Sequence, residues 1–330
     1  MAARRIVVVG SSAGGVRALQ ILVSQLPSDF PAPILIVQHI GAYRSILPTL
    51  FNRAGPIPAA HATDGDEITA GRILVAPPDM HMIVEDAIVR LVRGPKEHHA
   101  RPAIDPLFRS TALAWGPGAI GVLLTGWLDD GTAGLQAIKR CGGTAVVQDP
   151  AEADSPGMPM SALRFVEVDY QVPLAAIGGV LERLVAEEPA SGQGGRAGLL
   201  VRENDIALGK GDFMEHLEKI AKPSTFVCPD CDGALWEITG SEPRRFRCHT
   251  GHAYTLQSLY HAHTETTDEA LWSALRALQE KELLLKSMAA GYRAERDEKE
   301  AARLDEEAGD IAQHAATLRK LIESTPAPPD

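Results

Sequence analysis

Six short runs dominated by Val, Ile and Leu constrain this chain's fold more than any other feature. They cover residues 4–9, 33–38, 57–60, 72–75, 119–124 and 144–148. Apolar residues fill consecutive rather than alternate positions, the pattern of strands buried on both faces of a parallel sheet. Between the first two runs Val16, Leu19, Val23 and Leu26 recur at helical spacing, so a helix is expected to cover the sheet with that face. HMIVEDAIVRLV (81–92) reads as a hairpin turning near Glu85 and Asp86. The alternation predicts an α/β fold over residues 1–186, a doubly wound and mostly parallel sheet with helices on both faces.

Three of these runs end beside residues able to do acyl-transfer chemistry. Ser12 follows RIVVVGS, His39 closes PILIVQH, and Asp130 comes just after AIGVLLTGWLD. In open α/β sheets, ligands sit at the carboxyl ends of the strands. The glycines of GSSAGG (10–15) permit a sharp strand-to-helix turn, from which a serine would face the free N–H groups of a first helical turn. His39 could take the serine proton, and Asp130 could orient the imidazole and stabilise its charged form. On spacing alone two other readings stand: a phosphate-cradling loop, and a purely structural trio. The loop departs from G-x-G-x-x-G, and His39 falls where a ribose-binding acid is expected.

A net charge of −11 argues against nucleic acid or an anionic membrane as main partner. The N-terminal apolar run is too short for a signal peptide, and no stretch approaches the roughly eighteen apolar residues of a membrane span. These features point to a soluble, cytoplasmic protein without membrane insertion. His81, His98 and His99 are candidates for a cleft but read more readily as loop or surface residues, Asp105 reads as a helix N-cap, and Cys141 as a small buried hydrophobe.

Residues 187–223 open with EEPASGQGGRAG and are expected to be a linker. A zinc-ribbon-like module over 224–262 carries Cys228 and Cys231 in C-P-D-C, then Cys248, His249 and His252 in CHTGH. Two such knuckles supply the four N or S ligands of a tetrahedral zinc. The preferred set is Cys228, Cys231, Cys248 and His252, with His249 as the alternative fourth ligand. With no open coordination position the zinc should be structural, and its chelation should unfold the module without abolishing catalysis. Over 263–323 a helical hairpin is expected. Thr266 and Glu269 have capping-box spacing, and Leu271, Leu275, Leu278 and Leu285 follow. Gly291 marks the bend, and Leu304, Ala308, Ile311, Ala315, Leu318 and Ile322 form a coiled-coil seam in a second helix from about 294. This hairpin could pack on its own domain, dock on helical receptors or a signalling partner, or make a homodimer. Residues 324–330 read as a disordered tail.

GSSAGG, VQHI, DGDEI, LVAPPDMHM, RPAIDPLF, LLTGWLDDGTAG and PGMPMSAL occur in an order that resembles the catalytic domain of CheB-type chemotaxis protein-glutamate methylesterases over about residues 4–185. The resemblance implies that Ser12 is the nucleophile, His39 the general base and Asp130 the acid that orients it. It places the backbone N–H groups of Ala13 and Trp127 at the oxyanion and requires no cofactor for catalysis. It also implies demethylation of glutamyl γ-methyl esters on methyl-accepting chemoreceptors, with deamidation of glutamine as a second activity. Trp127 and Leu128 stand where the family often has Met and Gly, so the cleft is expected to be narrower. Typical members also carry an N-terminal receiver domain; the first strand here starts near residue 4, so phosphorylation control in cis is not expected. The rival expectation is a non-catalytic signalling adaptor.

Overall fold

The computed structural model describes residues 5–189 and 198–324. Seven parallel strands form the main sheet: β1 (Ile6–Ser11), β2 (Ile34–Gln38), β3 (Ala59–His61), β4 (Ile73–Val75), then, beyond a β5–β6 hairpin (His81–Glu85, Ile88–Val92), β7 (Ala119–Leu123), β8 (Thr144–Gln148) and β9 (Tyr170–Val172). Their order is β3-β4-β2-β1-β7-β8-β9, every adjacent pair parallel. The six expected strands are found with shifted ends; residue 4 lies outside the described residues, and short β9, half-exposed, lacked an apolar signature.

Both faces of the sheet are covered. Val7, Val9, Ile34 and Ile36 pack under α1 (Gly15–Gln25), α2 (Leu47–Ala54) and α6 (Leu174–Ala186). Ile6, Val8, Leu35 and Val37 face α3 (Ile104–Trp115), α4 (Thr132–Arg140), α5 (Gly157–Phe165) and the hairpin. Two-sided burial is why the strands read as unbroken apolar runs. In α1 the buried stripe is Ala18, Leu19, Leu22 and Val23, whereas Val16 is exposed, one step off the expected face. Because β1 sits between β2 and β7, the chain leaves it in opposite lateral directions, creating a switch point at its carboxyl end.

The expected linker over 187–223 is not one along its described length. Residues 190–197 lie outside the described residues, but 198–220 form α7 (Gly198–Leu208) and α8 (Phe213–Ile220). Leu200 joins the main core, while Ile206, Leu217 and Ile220 form a small cluster with Ile238. The cysteine module is an antiparallel sheet of β10 (Ala221–Val227), β11 (Ala234–Ile238), β12 (Arg245–Cys248) and β13 (Ala253–Thr255). It belongs to the same compact unit as the main sheet, which extends to Leu259. The segment before α3 pairs with its edge: His98 N–H donates to the Ala253 carbonyl at 2.8 Å, and Ala253 N–H to Lys96 at 3.2 Å. Buried Glu97 accepts from Arg109 of α3 at 3.0 Å and from Arg247 of β12 at 2.9 Å. Buried Glu203 of α7 holds Arg245 through two contacts of 2.8 and 3.1 Å. The module is therefore an integral layer, not the separable appendage expected.

Residues from Tyr260 form a second unit. The helix α9 (Leu256–Ala294) begins ten residues before the expected capping box. Thr266 lies inside it, its hydroxyl donating to the Ala262 carbonyl at 2.9 Å. The working box is Thr255 with Ser258: each backbone N–H donates to the other's hydroxyl, at 2.9 and 3.0 Å. Gly291 is also helical; the chain turns at 295–297 with Arg296 at φ 66°, before α10 (Glu298–Ser324). Of the expected seam residues Leu275, Leu285, Leu304, Ala308, Ile311, Ala315 and Ile322 are buried, with Leu271, Leu278 and Leu318 partly buried against them. Of the expected tail, Ser324 ends α10 and 325–330 lie outside the described residues.

Removing one partner from a buried ion pair leaves an uncompensated charge, which costs about 3–5 kcal/mol. Glu97→Ala, which strands Arg109 and Arg247, is expected to lower stability by that amount in urea titrations; an unchanged midpoint would show the network to be inert.

Candidate active site

β1 and β2 end side by side, Ser11 against Gln38 in register, which brings Ser12 and His39 to one edge. The ladders run one residue further, with Ser12 N–H donating to the Thr125 carbonyl at 2.9 Å and His39 N–H to the Ser11 carbonyl at 3.0 Å. Gln38 clamps the corner: its Nε2 donates to the Ser12 and His39 carbonyls at 2.8 and 2.9 Å, and its Oε1 accepts from the Ser11 hydroxyl at 2.7 Å. Ser11 is thus buried and used structurally, whereas Ser12 is partly accessible. The turn needs glycine at 15, where a Cβ would fall 2.1 Å from Gln38 Oε1. Across the gap, a Cβ on Gly126 would lie 2.7 Å from Ser12 Cβ, so the chain leading to Trp127 runs against the serine.

Ser12 Oγ lies 3.1 Å from His39 Nδ1, and His39 Nε2 lies 2.7 Å from Asp130 Oδ2. Only His39 has appreciable exposure among its ring and the carboxylate, 19% against 2%. With the carboxylate accepting from Nε2–H, the Nδ1 lone pair faces the serine hydroxyl, the tautomer that general base catalysis needs.

Asp130 is held by more than the histidine. Oδ2 also accepts from Ile104 N–H at 2.7 Å, and Oδ1 from the N–H groups of Asp105 at 3.0 Å and Gly131 at 2.8 Å. It therefore caps α3, whose positive end favours a carboxylate. Burial pushes this carboxyl up, but the nearby His98 charge, then the bonds from His39 and Ile104, hold it down at about 2. Asp105, expected as the cap, lies inside the first turn of α3, accepting from Gly134 N–H at 2.6 Å and pairing with His98 Nε2 at 2.9 Å. Neighbouring Asp129 is pushed up to about 6, by burial first and by the charges of Asp105 and Asp130, against the opposing pull of His98.

The other histidines divide. His81 is buried and pairs through Nε2 with the Pro95 carbonyl at 2.9 Å, a structural role. His99 is part-exposed, 3.3 Å from Asp230. His98 lies among three carboxylates: burial lowers its pKa, but Asp130, Asp105 and Asp129 together raise it to about 10. Its place was not readable from the chain, since those acids are local neighbours neither of it nor all of one another. Trp127 is 45% exposed at the rim, its indole N–H donating to Ser155 Oγ at 2.6 Å.

In the ribbon, ligand atoms of Cys228, Cys231, Cys248 and His252 all lie within 4.8 Å of one another. Cys231 Sγ is 3.6 Å from Cys248 Sγ, and His252 Nδ1 is 3.5 Å from Cys248 Sγ and 3.7 Å from Cys228 Sγ. A tetrahedral zinc with bonds of about 2.0–2.3 Å separates its ligands by about 3.5–3.8 Å, so the set fits. His249 is outside it, packed over Gly233.

A doubly wound parallel sheet with a hydrogen-bonded Ser–His–Asp line at its switch point is an arrangement that fits the hydrolase class. Residues 7–181 match the CheB methylesterase family, and the chain belongs to it. A Leptospira interrogans relative, "Putative protein-glutamate methylesterase/protein-glutamine glutaminase", is 40% identical over 184 residues, 54% of this chain and 93% of the relative. Protein-glutamate methylesterase/protein-glutamine glutaminase 2 of Anaeromyxobacter dehalogenans is 39% identical over 180 residues, 54% of this chain but 53% of that longer protein. The crystal structure of the Thermotoga maritima CheB methylesterase catalytic domain superposes with a TM-score of 0.53 at 34% identity, covering 55% of this chain and 98% of that one.

The shifts imply a signed pH dependence. An imidazole raised from 6.5 to about 10 lends stability that is complete below pH 6.5 and lost as pH rises through 10. Melting temperature is therefore expected to fall between pH 7 and 10, and to fall less in His98→Gln. Equal slopes would mean that His98 is not the titrating group.

Proposed function

We propose that the chain is a protein-glutamate methylesterase acting through Ser12, His39 and Asp130. The observation that carries this is the hydrogen-bonded line of hydroxyl, imidazole and buried carboxylate, 3.1 and 2.7 Å in its two links. Ser12 Oγ attacks the carbonyl carbon of a glutamyl γ-methyl ester while its proton passes to His39 Nδ1. The tetrahedral oxyanion is met by the backbone N–H groups of Ala13 and Trp127, donors that cost no reorganisation during reaction. His39 returns the proton to the departing methoxide, releasing methanol. Water, deprotonated by the same nitrogen, then cleaves the acyl-enzyme to a glutamate carboxylate and free Ser12. Glutamine follows the same course with ammonia as leaving group.

The substrate class is the helical, methyl-accepting region of a chemoreceptor, whose glutamyl esters suit relatives named protein-glutamate methylesterase, and the site of action is the cytoplasm. No helix among the described residues is long and apolar enough to cross a membrane. The complete relay favours an enzyme over an adaptor. Cys228, Cys231, Cys248 and His252 would hold a structural zinc, which would supply no chemistry to the ester and would brace the ribbon. The α9–α10 hairpin exposes Leu283, Leu284 and Met288, a strip suited to homodimerisation.

Ser12→Ala is expected to cut methanol release from a methylated receptor fragment by about 10³-fold or more, with binding retained; wild-type turnover would sink the assignment. Purified protein is expected to carry about one zinc per chain, lost in the Cys231→Ser variant. Metal-free wild type with an unaltered ribbon would refute the zinc site.

A further inference from the structure

The strongest feature left unused by the relay is the buried charge cluster behind it. His98 Nε2 is 2.9 Å from Asp105 Oδ2 and 3.7 Å from Asp130 Oδ1, and its Nδ1 is 3.8 Å from Asp129 Oδ1. Its ring is 5% exposed, so no substrate touches it. On its other side Nδ1 meets Ser258 Oγ at 3.4 Å, and Thr255 of the same pair favours the charged form of Asp129. With one nitrogen turned to Asp105 and the other to Ser258, the ring is placed to donate twice as an imidazolium. It has no lone pair left for a metal.

Backbone geometry marks the same place. His98 and His99 are consecutive non-glycine residues in the left-handed region, at φ 52° and 63°. Such residues are strained and persist only where their surroundings over-determine them. Here the surroundings are the ribbon: the Ala253 carbonyl takes the His98 N–H, Ser258 takes its ring, and Arg247 holds Glu97 one residue earlier. Without a positive charge among them, Asp105, Asp129 and Asp130 would repel one another in a dry site, and Asp130 would take up a proton more readily. A protonated Asp130 holds the His39 ring less firmly and no longer stabilises its imidazolium.

We propose that His98 is a positioning residue for the Ser12–His39–Asp130 relay and that the C-terminal cysteine ribbon, through Ala253 and Thr255 of β13 and Ser258 in the first turn of the α9 it leads into, holds it in place, so that ester turnover requires the docked ribbon. This rests on the relay reading above and extends it: the buried half of the site is completed from residues more than 120 positions downstream of Asp130. The charged groups facing His98 are Asp105 from α3 and Asp129 and Asp130 from the turn after β7; β13 contributes the uncharged Thr255 and the first turn of α9 the uncharged Ser258.

The test measures kcat, KM and their pH profiles on a glutamyl γ-methyl ester peptide for the full chain and for Ser12→Ala, His98→Gln, Thr255→Val and Ser258→Ala. Small misplacements of a catalytic group cost up to about 10²-fold, so His98→Gln should lose roughly that much in kcat with KM little changed. Removing a cation also favours protonation of its neighbours, so the acid limb of kcat/KM should move to higher pH. The two ribbon variants, remote from substrate, should lose several-fold in kcat at unchanged KM while melting as cooperatively as wild type. Turnover by Ser12→Ala would overturn the relay reading and this proposal with it. An inactive Ser12→Ala, together with wild-type kcat and acid limb in the other three variants, would overturn the positioning role alone.

Discussion

The structure is organised around one buried carboxylate. Asp130 accepts from His39 on one side and from three backbone N–H groups on the other, two of them the open end of α3. A lone buried charge is costly, and this one is stable because a helix N-terminus and two imidazoles face it. The same contacts that satisfy the carboxylate fix the start of α3 against the sheet. Helix packing and proton relay are therefore one arrangement, and neither can move without the other.

Around that centre the protein spends several buried ions on joining its parts. Glu97 ties α3 to β12, Glu203 ties α7 to β12, and His98 ties three acids to the ribbon edge. Buried ion pairs of this kind add little net stability compared with apolar packing. They do specify partners closely, since each charge tolerates only one arrangement of donors. The ribbon is thereby joined to the layer that holds Asp130 and α3.

Much of this was legible before any coordinates. Six strands, the hairpin and the helical seam were readable because consecutive or periodic apolar residues report burial directly. Ser12, His39 and Asp130 were readable because each stands where a buried run stops. The misses share another cause. The linker reading of EEPASGQGGRAG extended over α7, which is anchored by buried Glu203 only once its partner Arg245, 42 residues away, is brought to it. Thr266 and Glu269 mimicked a cap that Thr255 and Ser258 supply instead, because β13 runs straight into α9. Gly291 looked like a bend, yet an isolated glycine costs a helix only about 1 kcal/mol.

By itself, the sequence determined the parallel sheet, the turns that expose a serine and a histidine, and the spacing of the ribbon's cysteines and histidines. These follow from local patterns: which faces are apolar, where glycine permits a turn, how cysteines are spaced. Tertiary structure alone decided that Asp130 would cap α3, that His98 would carry charge among three acids, and that the ribbon would close the rear of the site. The reason is electrostatic. An ionisable side chain takes its protonation state from whatever the fold brings within a few ångströms, and those neighbours are scattered along the chain.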